Sequence, residues 1–483
     1  MRKPNVLSGV LLTALTVGLT ACGIGMDSSL LAKAEGGEVF EGPVPRAVCG
    51  PGSQPETELQ GQVSLEDRES GRSQQGYSCN LELVSQYQGV GAGWQNAWYG
   101  DCDYYDTAQN TVALGVQVID ARDPKNPKAT TRLTSAAMLG PWESLKVTEK
   151  RGLLGAVAAY DTAGQGPVFF DVYDVTGDCA HPVQKASVPM DIPVGHEGNW
   201  AEDGMTYYGS STLEQTIAAI DVEDPSAPIL VTVLQYGTHG LSTSEDGNRL
   251  YLTGSLAPGS NGLHIVDISQ VQARALLPMT SEIGSVTWTD GSAAQHTIPI
   301  SYDGRPYILF VDEGGAGTGF SLTGPAGAAR IIDIAEETQP RIVSKLKLEI
   351  HMPDQETAQQ ADTAGNGTFG YEGHYCAVDR QENPTAVACG YFQSGIRVFD
   401  IRDPHKPREI AYYNPPAQVG KNSQIPGSEH AGGLGTAQPP NLTTDWCSSQ
   451  SRFVKESGEL WATCQDNGFL ILKFTNGVWP FKD

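Results

Sequence analysis

A short apolar run that ends in aspartate recurs along this chain, and this repetition constrains the fold more than any other feature. In most copies one more apolar residue follows the aspartate. Six clear copies read VQVID (116–120), FDVYDV (170–175), AAIDV (218–222), HIVDI (264–268), RIIDI (330–334) and RVFDI (397–401). A seventh, degenerate copy is FLILKF (469–474), with Lys473 near the place of the aspartate. The spacing of roughly 45 to 70 residues suits a four-stranded unit with variable loops.

Each unit has the pattern of four consecutive strands. The aspartate-terminated run is the third strand, and it often leads into an Asp-Pro turn such as DPKNPK, DPSAPI or DPHKPR, where a ladder cannot continue. Seven such units predict an all-β, seven-bladed β-propeller over residues 76–483. The tract NLELVSQYQ (80–88) has a fourth-strand pattern, so we expect an N-terminal strand to complete the last blade and close the ring. A β-sandwich is the alternative fold.

The tract GLHIVDISQ (262–270) and the turns DPKNP and DPSAP resemble those of the LVIVD-repeat proteins, which are bacterial β-propeller lipoproteins. The resemblance covers about residues 79–474. It implies the propeller fold and leaves the activity open, because most members of that family have no assigned reaction. The layout is also similar, more remotely, to that of the selenium-binding protein and methanethiol oxidase group. That second resemblance implies a propeller that holds copper through histidines.

The N-terminus has the pattern of an export signal. Basic residues 2 and 3 precede an apolar run that ends at Leu19-Thr20-Ala21-Cys22, which resembles a lipobox. This predicts a signal peptide over residues 1–21, acylation of Cys22, and a flexible tether over residues 22–75. An ordinary secretory signal is the alternative. The predicted location is the cell envelope, lipid-anchored, and the outer membrane if the source is Gram-negative.

Cysteine usage also favours export. Eight cysteines remain without Cys22, and an even number in an exported chain suggests disulfides. Cys376 and Cys389 flank a hairpin pattern, and Cys447 and Cys464 flank the corresponding one in the next repeat, so both pairs are disulfide candidates. The pairing of the other four, Cys49, Cys79, Cys102 and Cys179, stays open. Zinc binding by these cysteines is a weak alternative, because no C-x-x-C motif occurs.

The net charge of −25 argues against a nucleic-acid partner, since phosphates are bound by basic patches. The chain contains no G-x-S-x-G elbow and no H-E-x-x-H motif.

Histidines recur at one position of the repeat, just before the first strand of a blade. Four consecutive repeats carry one there, namely His196, His239, His296 and His374. In a propeller this position lies beside the central axis, so we expect the four imidazoles to converge and to bind a metal, copper or zinc. Possible additional participants are Glu143, Glu197, Asp445 and His430. The alternative is that these histidines bind only water and backbone in a wet channel.

Three long insertions fall in loops at the same end of the ring: residues 312–328, 352–373 and 414–445. Long loops over one face of a rigid scaffold often build a binding site, although tolerated surface insertion is the alternative. The sequence therefore predicts an anchored module that binds a small molecule or protein on this face. The competing hypothesis is a copper-dependent, or other metal-dependent, oxidoreductase with a histidine-lined site. A propeller hydrolase is a third, weaker hypothesis, and whether the chain is an enzyme stays open.

Overall fold

The computed structural model describes residues 39, 41–109, 112–158, 168–190, 194–211, 215–254, 261–314, 326–364, 369–421, 424–428 and 442–481. These residues form seven antiparallel sheets in a propeller arrangement, which confirms the predicted all-β, seven-bladed fold. Within this part of the chain the α-helices are short: α1 (Leu65–Ser70), α2 (Ser269–Gln272) and α3 (Glu356–Thr363). None of these helices has the length and apolar character needed to cross a membrane.

The chain enters the propeller through β1 (Tyr77–Cys79) and β2 (Leu81–Tyr87) and then builds one blade after another. Blade 1 contains β3 (Asn96–Tyr99), β4 (Cys102–Gln109), β5 (Val112–Asp120) and β6 (Lys128–Leu133). Blade 2 contains β7 (Lys146–Thr148), β8 (Leu153–Val157), β9 (Val168–Asp174) and β10 (Val183–Met190). Blade 3 contains β11 (Gly198–Trp200), β12 (Thr206–Ser211), β13 (Thr216–Asp221) and β14 (Ile229–Leu234).

The remaining blades repeat this order. Blade 4 contains β15 (Leu241–Thr243), β16 (Arg249–Thr253), β17 (Gly262–Asp267) and β18 (Ser281–Thr287). Blade 5 contains β19 (Ser292–Tyr302), β20 (Arg305–Gly314), β21 (Ala329–Asp333) and β22 (Arg341–Lys345). Blade 6 contains β23 (Cys376–Val378), β24 (Ala386–Tyr391), β25 (Gly395–Asp400) and β26 (Arg408–Asn414), and blade 7 contains β27 (Arg452–Val454), β28 (Glu459–Cys464) and β29 (Gly468–Phe474).

The ring closes as the sequence predicts. Strand β2 pairs antiparallel with β29, in a register from Leu81 opposite Phe474 to Tyr87 opposite Phe469, and so supplies the outer strand of blade 7. Strand β1 adds a fifth strand to blade 6 by pairing with β26. Closure leaves no open sheet edge between the first and last blades, which protects the domain from edge-to-edge association.

Apolar residues on both faces of the inner strands hold the blades together. Among the described residues, seven of the buried clusters each combine residues of two adjacent blades. In β12, for example, Tyr207 packs toward blade 2 and the next residue, Tyr208, packs toward blade 4. Successive side chains of a strand point to opposite faces of its blade. Because both faces pack against neighbouring blades, such a strand must be apolar at nearly every position. This explains the short, continuous apolar runs of the repeat.

The repeated aspartates stabilise turns, as the sequence indicates. Each accepts a hydrogen bond from the backbone N–H two residues later, for example from Glu223 to Asp221 at 2.8 Å and from Ala335 to Asp333 at 3.0 Å. The Asp-Pro turns use the same bond, as from Ser226 to Asp224 at 2.9 Å. The carboxylate accepts the hydrogen bond of a backbone N–H that no longer has a partner in the sheet once the strand has ended.

The segment predicted to be a flexible tether up to residue 75 differs in the structure, where residues 41–75 pack on the propeller. Val44 and Val63 are buried, and Ser64 caps α1. Arg397 of β25 forms buried ion pairs with Glu56 of this segment and with Glu409. The sequence of the segment is polar and irregular, so its order depends on contacts with blades 5 and 6 rather than on local propensity. Residues 1–38, including Cys22, lie outside the described residues.

The structure pairs all eight of the remaining cysteines. The two predicted local disulfides are confirmed, Cys376 with Cys389 and Cys447 with Cys464. The pairs left open by the sequence are Cys49 with Cys79 and Cys102 with Cys179. The first of these fastens the N-terminal segment to β1, and the second joins blade 1 to the turn that follows β9.

We expect the double substitution Cys102→Ser/Cys179→Ser to destabilise the domain more than Cys376→Ser/Cys389→Ser does. The first disulfide closes a loop of 77 residues and the second a loop of 13. Loop-closure entropy then gives about 4.5 kcal/mol for the longer loop against about 3 kcal/mol for the shorter one. Urea denaturation of both variants and the parent chain measures the difference. Equal midpoints for the two variants would contradict the expectation.

Candidate metal centre

Three of the four aligned histidines converge on one carboxylate. His196 precedes β11, His239 precedes β15 and His374 precedes β23, at the ends of the inner strands. Their Nε2 atoms lie 3.6, 3.5 and 2.9 Å from the carboxylate oxygens of Glu143. The rings of His196 and His239 are 4.5 Å apart, centroid to centroid. The repeat alignment thus selected three side chains, from three blades, that meet at one carboxylate.

The potential ligand atoms fall into two groups that share Glu143. One group consists of Glu143, His196 and His239, and the other of Glu143, Glu313 and His374. Within each group the ligand atoms lie within 4.8 Å of one another. Imidazole nitrogens and carboxylate oxygens in this arrangement are typical ligands of divalent transition metals.

Backbone carbonyls orient two of the histidines. Nδ1 of His374 lies 2.8 Å from the carbonyl oxygen of Ser448, and Nδ1 of His239 lies 3.3 Å from that of Gln295. A carbonyl can only accept, so each Nδ1 carries the proton and donates it. When the imidazole is neutral, this leaves the Nε2 lone pair on the side of the carboxylates, where a cation between nitrogen and oxygen could take it up. An outer hydrogen bond of this kind is what fixes the tautomer of metal-binding histidines.

His296 has a different partner. Its Nδ1 lies 2.9 Å from Oε1 of Glu197, while the other oxygen of that carboxylate is 3.7 Å from Nδ1 of His239. Glu197 is fully buried, and Glu143 and Glu197 belong to neighbouring segments joined by a β-bridge. His296 and Glu197 therefore form a layer behind His239 and do not belong to either ligand group.

The packing of Glu197 requires glycine at position 240. A Cβ added to Gly240 would lie 2.1 Å from Oε2 of Glu197 and 2.2 Å from the carbonyl oxygen of Gln295. We expect Gly240→Ala to displace Glu197 and to destabilise the domain by about 1–3 kcal/mol, as overpacking does. Gly140→Ala is the matched control, because a Cβ there meets nothing within 4 Å. Thermal unfolding of the two variants measures the effect, and equal stability would contradict it.

Burial and mutual repulsion set the charge of the carboxylates. Burial opposes ionisation of Glu143, but His374, His239 and His196 outweigh it and hold the pKa of Glu143 well below its usual range. Burial, and then the charge of Glu143, raise the pKa of Glu313 well above its usual value. Burial also raises the pKa of Glu197 to about 7, although nearby Lys146 opposes this shift. The centre thus holds an excess of buried acidic groups.

Lys146 and Tyr375 lie beside the glutamates of the centre. Burial lowers the pKa of Lys146 to about 8, against the attraction of Glu197 and Glu143. Its Nζ lies 4.6 Å from the centre of the Tyr375 ring, a cation–π contact. The Tyr375 hydroxyl is 3.5 Å from Oε2 of Glu143. Sequence reasoning did not select these residues, although both follow the aligned position by one to three residues.

Glu313 is the main participant that the sequence analysis missed. It is the penultimate residue of β20, next to Asp312, where one of the three long insertions begins. The described flanks of the other two insertions also reach the centre, through Glu372, Phe369 and Leu442. The sequence feature that could have identified Glu313 is the acidic pair Asp312-Glu313 near the end of the second strand of blade 5. This end of the strand is on the side of the ring predicted for the long loops. Parts of these insertions lie outside the described residues, at 315–325, 365–368, 422–423 and 429–441.

An aromatic cluster forms the opposite side of the centre. It consists of Trp94, Trp142, Phe369, Phe392, Leu442 and Trp446. The Trp94 ring lies 5.5 Å from that of His374, and the Trp142 ring lies 5.9 Å from that of His196. The imidazoles of His196 and His374 thus face aromatic rings supplied mainly by blades 1, 2 and 7. This wall lowers the local polarity, which strengthens electrostatic interactions within the centre.

Asp445, one of the suggested additional participants, has backbone partners in a turn. Asp445 accepts hydrogen bonds from the backbone N–H groups of Trp446, Asp466 and Asn467 at 2.7, 2.8 and 3.0 Å, so it organises the β28–β29 turn. His430 lies outside the described residues.

The other histidines lie away from the centre. His181 and His405 are exposed in turns, and His264 faces Glu282 across a blade at 3.2 Å. His351 is buried, and its Nε2 donates to the carbonyl oxygen of Tyr371 at 2.7 Å.

Comparison with known proteins gives distant structural similarity only. No family model matches the chain, and no curated protein is similar to it in sequence. A solved protein from Lactobacillus plantarum is 13% identical, with 64% of this chain and 80% of that chain covered and a TM-score of 0.44. A functionally unknown protein from Desulfotomaculum acetoxidans is 10% identical, with 66% and 84% covered and a TM-score of 0.45. The resemblance to LVIVD-repeat proteins therefore stands on the repeat motifs alone.

Proposed function

We propose that this chain is a metal-dependent β-propeller whose channel mouth binds a divalent transition metal and presents it to a small ligand. His196, His239 and His374 are the nitrogen ligands, and Glu143 and Glu313 are the oxygen ligands. One observation carries the proposal: three Nε2 atoms from three blades face a single buried carboxylate. Without a bound cation, burial of these acidic groups costs free energy, and a bound cation offsets that cost.

Mixed nitrogen and oxygen ligands suit zinc, copper, iron or manganese, and the histidine content favours copper or zinc. Access to the ion is from the side of His196, whose side chain is 17% exposed against 5% for His239 and 0% for His374. The ring of Trp142 stands beside it. A small molecule entering there would meet an apolar wall on one side and the ion on the other. Copper would support oxidation of a small reductant, whereas zinc would favour binding or polarisation of a ligand oxygen.

Metal analysis of the purified chain tests this proposal. We expect Zn²⁺ or Cu²⁺ added to the metal-free chain to remain bound after gel filtration, and His239→Ala to retain less of it. His264→Ala is the matched control, because it removes a histidine that also faces a glutamate, outside the centre. Full retention of metal by the parent chain and the control, with a reduced amount in His239→Ala, supports the proposal. A metal-free parent chain after loading overturns it.

We also propose that the chain is exported and tethered by lipid at Cys22. Four disulfides favour an oxidising compartment, and the lipobox-like tract favours acylation. Mass spectrometry of the protein expressed with its N-terminus should find cleavage before Cys22 and an acylated N-terminal cysteine. Cys22→Ser should leave the chain unacylated. An unmodified Cys22 in the mature parent chain would contradict this proposal without affecting the metal site.

A further inference from the structure

We infer that the centre binds two metal ions bridged by the carboxylate of Glu143. This inference rests on the proposed function, because it concerns the same ligands, and it adds the number of ions and their arrangement. Among the described residues the ligand atoms form two groups that share Glu143, rather than one group around a common point. A single ion, bound at about 2.0–2.2 Å from its ligands, would not reach both groups without rearrangement.

The two oxygens of Glu143 face different groups. Oε2 lies 3.6 Å from Nε2 of His196 and 3.5 Å from Nε2 of His239. Oε1 lies 2.9 Å from Nε2 of His374. One ion would therefore take Oε2 together with two imidazoles, and the other would take Oε1 together with His374. A carboxylate that gives one oxygen to each ion is the usual bridge in sites where two metals lie about 3.5–4 Å apart.

Glu313 provides a second bridge of the same kind. Its Oε1 is 3.5 Å from Nε2 of His374, and its Oε2 is 4.0 Å from Nε2 of His239. Each of the two glutamates thus turns one oxygen to each side of the centre. A single ion does not need two glutamates arranged in this way. Two bridged ions need them, because each ion then receives one oxygen from each glutamate.

The buried charge of the centre attracts cations. Four glutamates of this region, Glu143, Glu197, Glu313 and Glu372, are at least nine-tenths buried. Lys146 is a buried cation among them. With all four ionised, one divalent ion beside Lys146 leaves a single negative charge and two ions leave a single positive charge. Either number offsets most of the buried charge, and the two ligand groups set the number.

Gln295 occupies part of this space in the structure. Its amide nitrogen lies 2.8 Å from Oε2 of Glu143 and 3.1 Å from Nε2 of His374. Its Oε1 is buried and has no hydrogen-bond partner within the described part of the chain. The amide nitrogen of Gln295 thus lies between two atoms, Oε2 of Glu143 and Nε2 of His374, that would also attract a cation. On binding of the second ion, rotation of the amide would direct Oε1 to the ion as a further oxygen ligand.

Stoichiometry and magnetic coupling test the inference. Calorimetric titration of the metal-free chain with Zn²⁺ should give two ions per chain. His374→Ala and Glu313→Gln should each retain one ion, as should the double variant His196→Ala/His239→Ala, while His264→Ala retains both. Glu313→Gln guards against misfolding, because it preserves shape while removing the charge. With Mn²⁺ as the probe, electron paramagnetic resonance should show a coupled pair in the parent chain and an isolated ion in His374→Ala.

The outcomes separate this inference from the proposed function. One Zn²⁺ per parent chain, with the hyperfine pattern of isolated Mn²⁺ at full loading, overturns the bridged pair and leaves a mononuclear metal site. Two ions without magnetic coupling overturn the bridge. No bound ion overturns both the inference and the proposed function.

Discussion

Replacing Glu143 with glutamine is expected to abolish metal binding, with a larger effect than any single histidine substitution. In the described part of the chain, Glu143 is the one residue common to both ligand groups, and three histidines face it. Loss of an outer hydrogen-bond partner weakens metal affinity by roughly 10–100-fold, so loss of a shared direct ligand should exceed that range. Glutamine preserves the shape of the side chain, and therefore the loss reports on charge and ligation.

Titration with Zn²⁺ measures this loss, and a thermal shift provides an independent reading. A ligand that binds only the folded chain raises its melting temperature, so Zn²⁺ should stabilise the parent chain and leave Glu143→Gln unchanged. Glu282→Gln is the control, since Glu282 is the partner of His264 outside the centre. Parent-like affinity in Glu143→Gln would contradict the assignment of Glu143 as a ligand.

Arg397→Ala is expected to destabilise the domain by about 3–5 kcal/mol, the usual cost of removing one partner from a buried ion pair. Arg397 is fully buried between Glu56 and Glu409, with Nη1 3.1 Å from Oε1 of Glu409, and it stacks on the ring of Tyr412. Its removal leaves two carboxylates buried without a counter-charge. Because Glu56 belongs to the N-terminal segment, the substitution should also loosen residues 41–75 from blade 6.

Urea denaturation measures the loss, and limited proteolysis detects release of the segment. The deficit should shrink as pH falls, because the stranded carboxylates then bind protons more readily in the folded than in the unfolded chain. Burial already raises the pKa of Glu56 in the parent chain, against the pull of Arg397. Arg122→Ala is the control, since Arg122 pairs with Asp120 in an exposed turn. Equal stability of the two variants would show that the buried ion pairs do not hold the segment.

The repeat predicted most of the fold because the strands of a blade follow one another closely in the sequence. Strands, turns and the aspartate that ends each third strand all lie within a few tens of residues, so the pattern is visible in the sequence. The same locality predicted the Cys376–Cys389 and Cys447–Cys464 disulfides. Cys102 and Cys179 belong to different blades, and their pairing depends on how blade 1 packs against blade 2. The order of residues 41–75 depends likewise on long-range contacts that leave no periodic signal.

The sequence by itself determined the seven-bladed ring, its closure by β2, and the position in each repeat where a side chain reaches the axis. That position is repeated, so His196, His239 and His374 could be found by alignment alone. Only the tertiary structure decided that Glu143 is their shared partner, that Glu313 joins them from the end of β20, and that His296 turns to Glu197. The physical reason is that ring closure brings together residues far apart in the chain, and side-chain direction near the axis depends on contacts between blades.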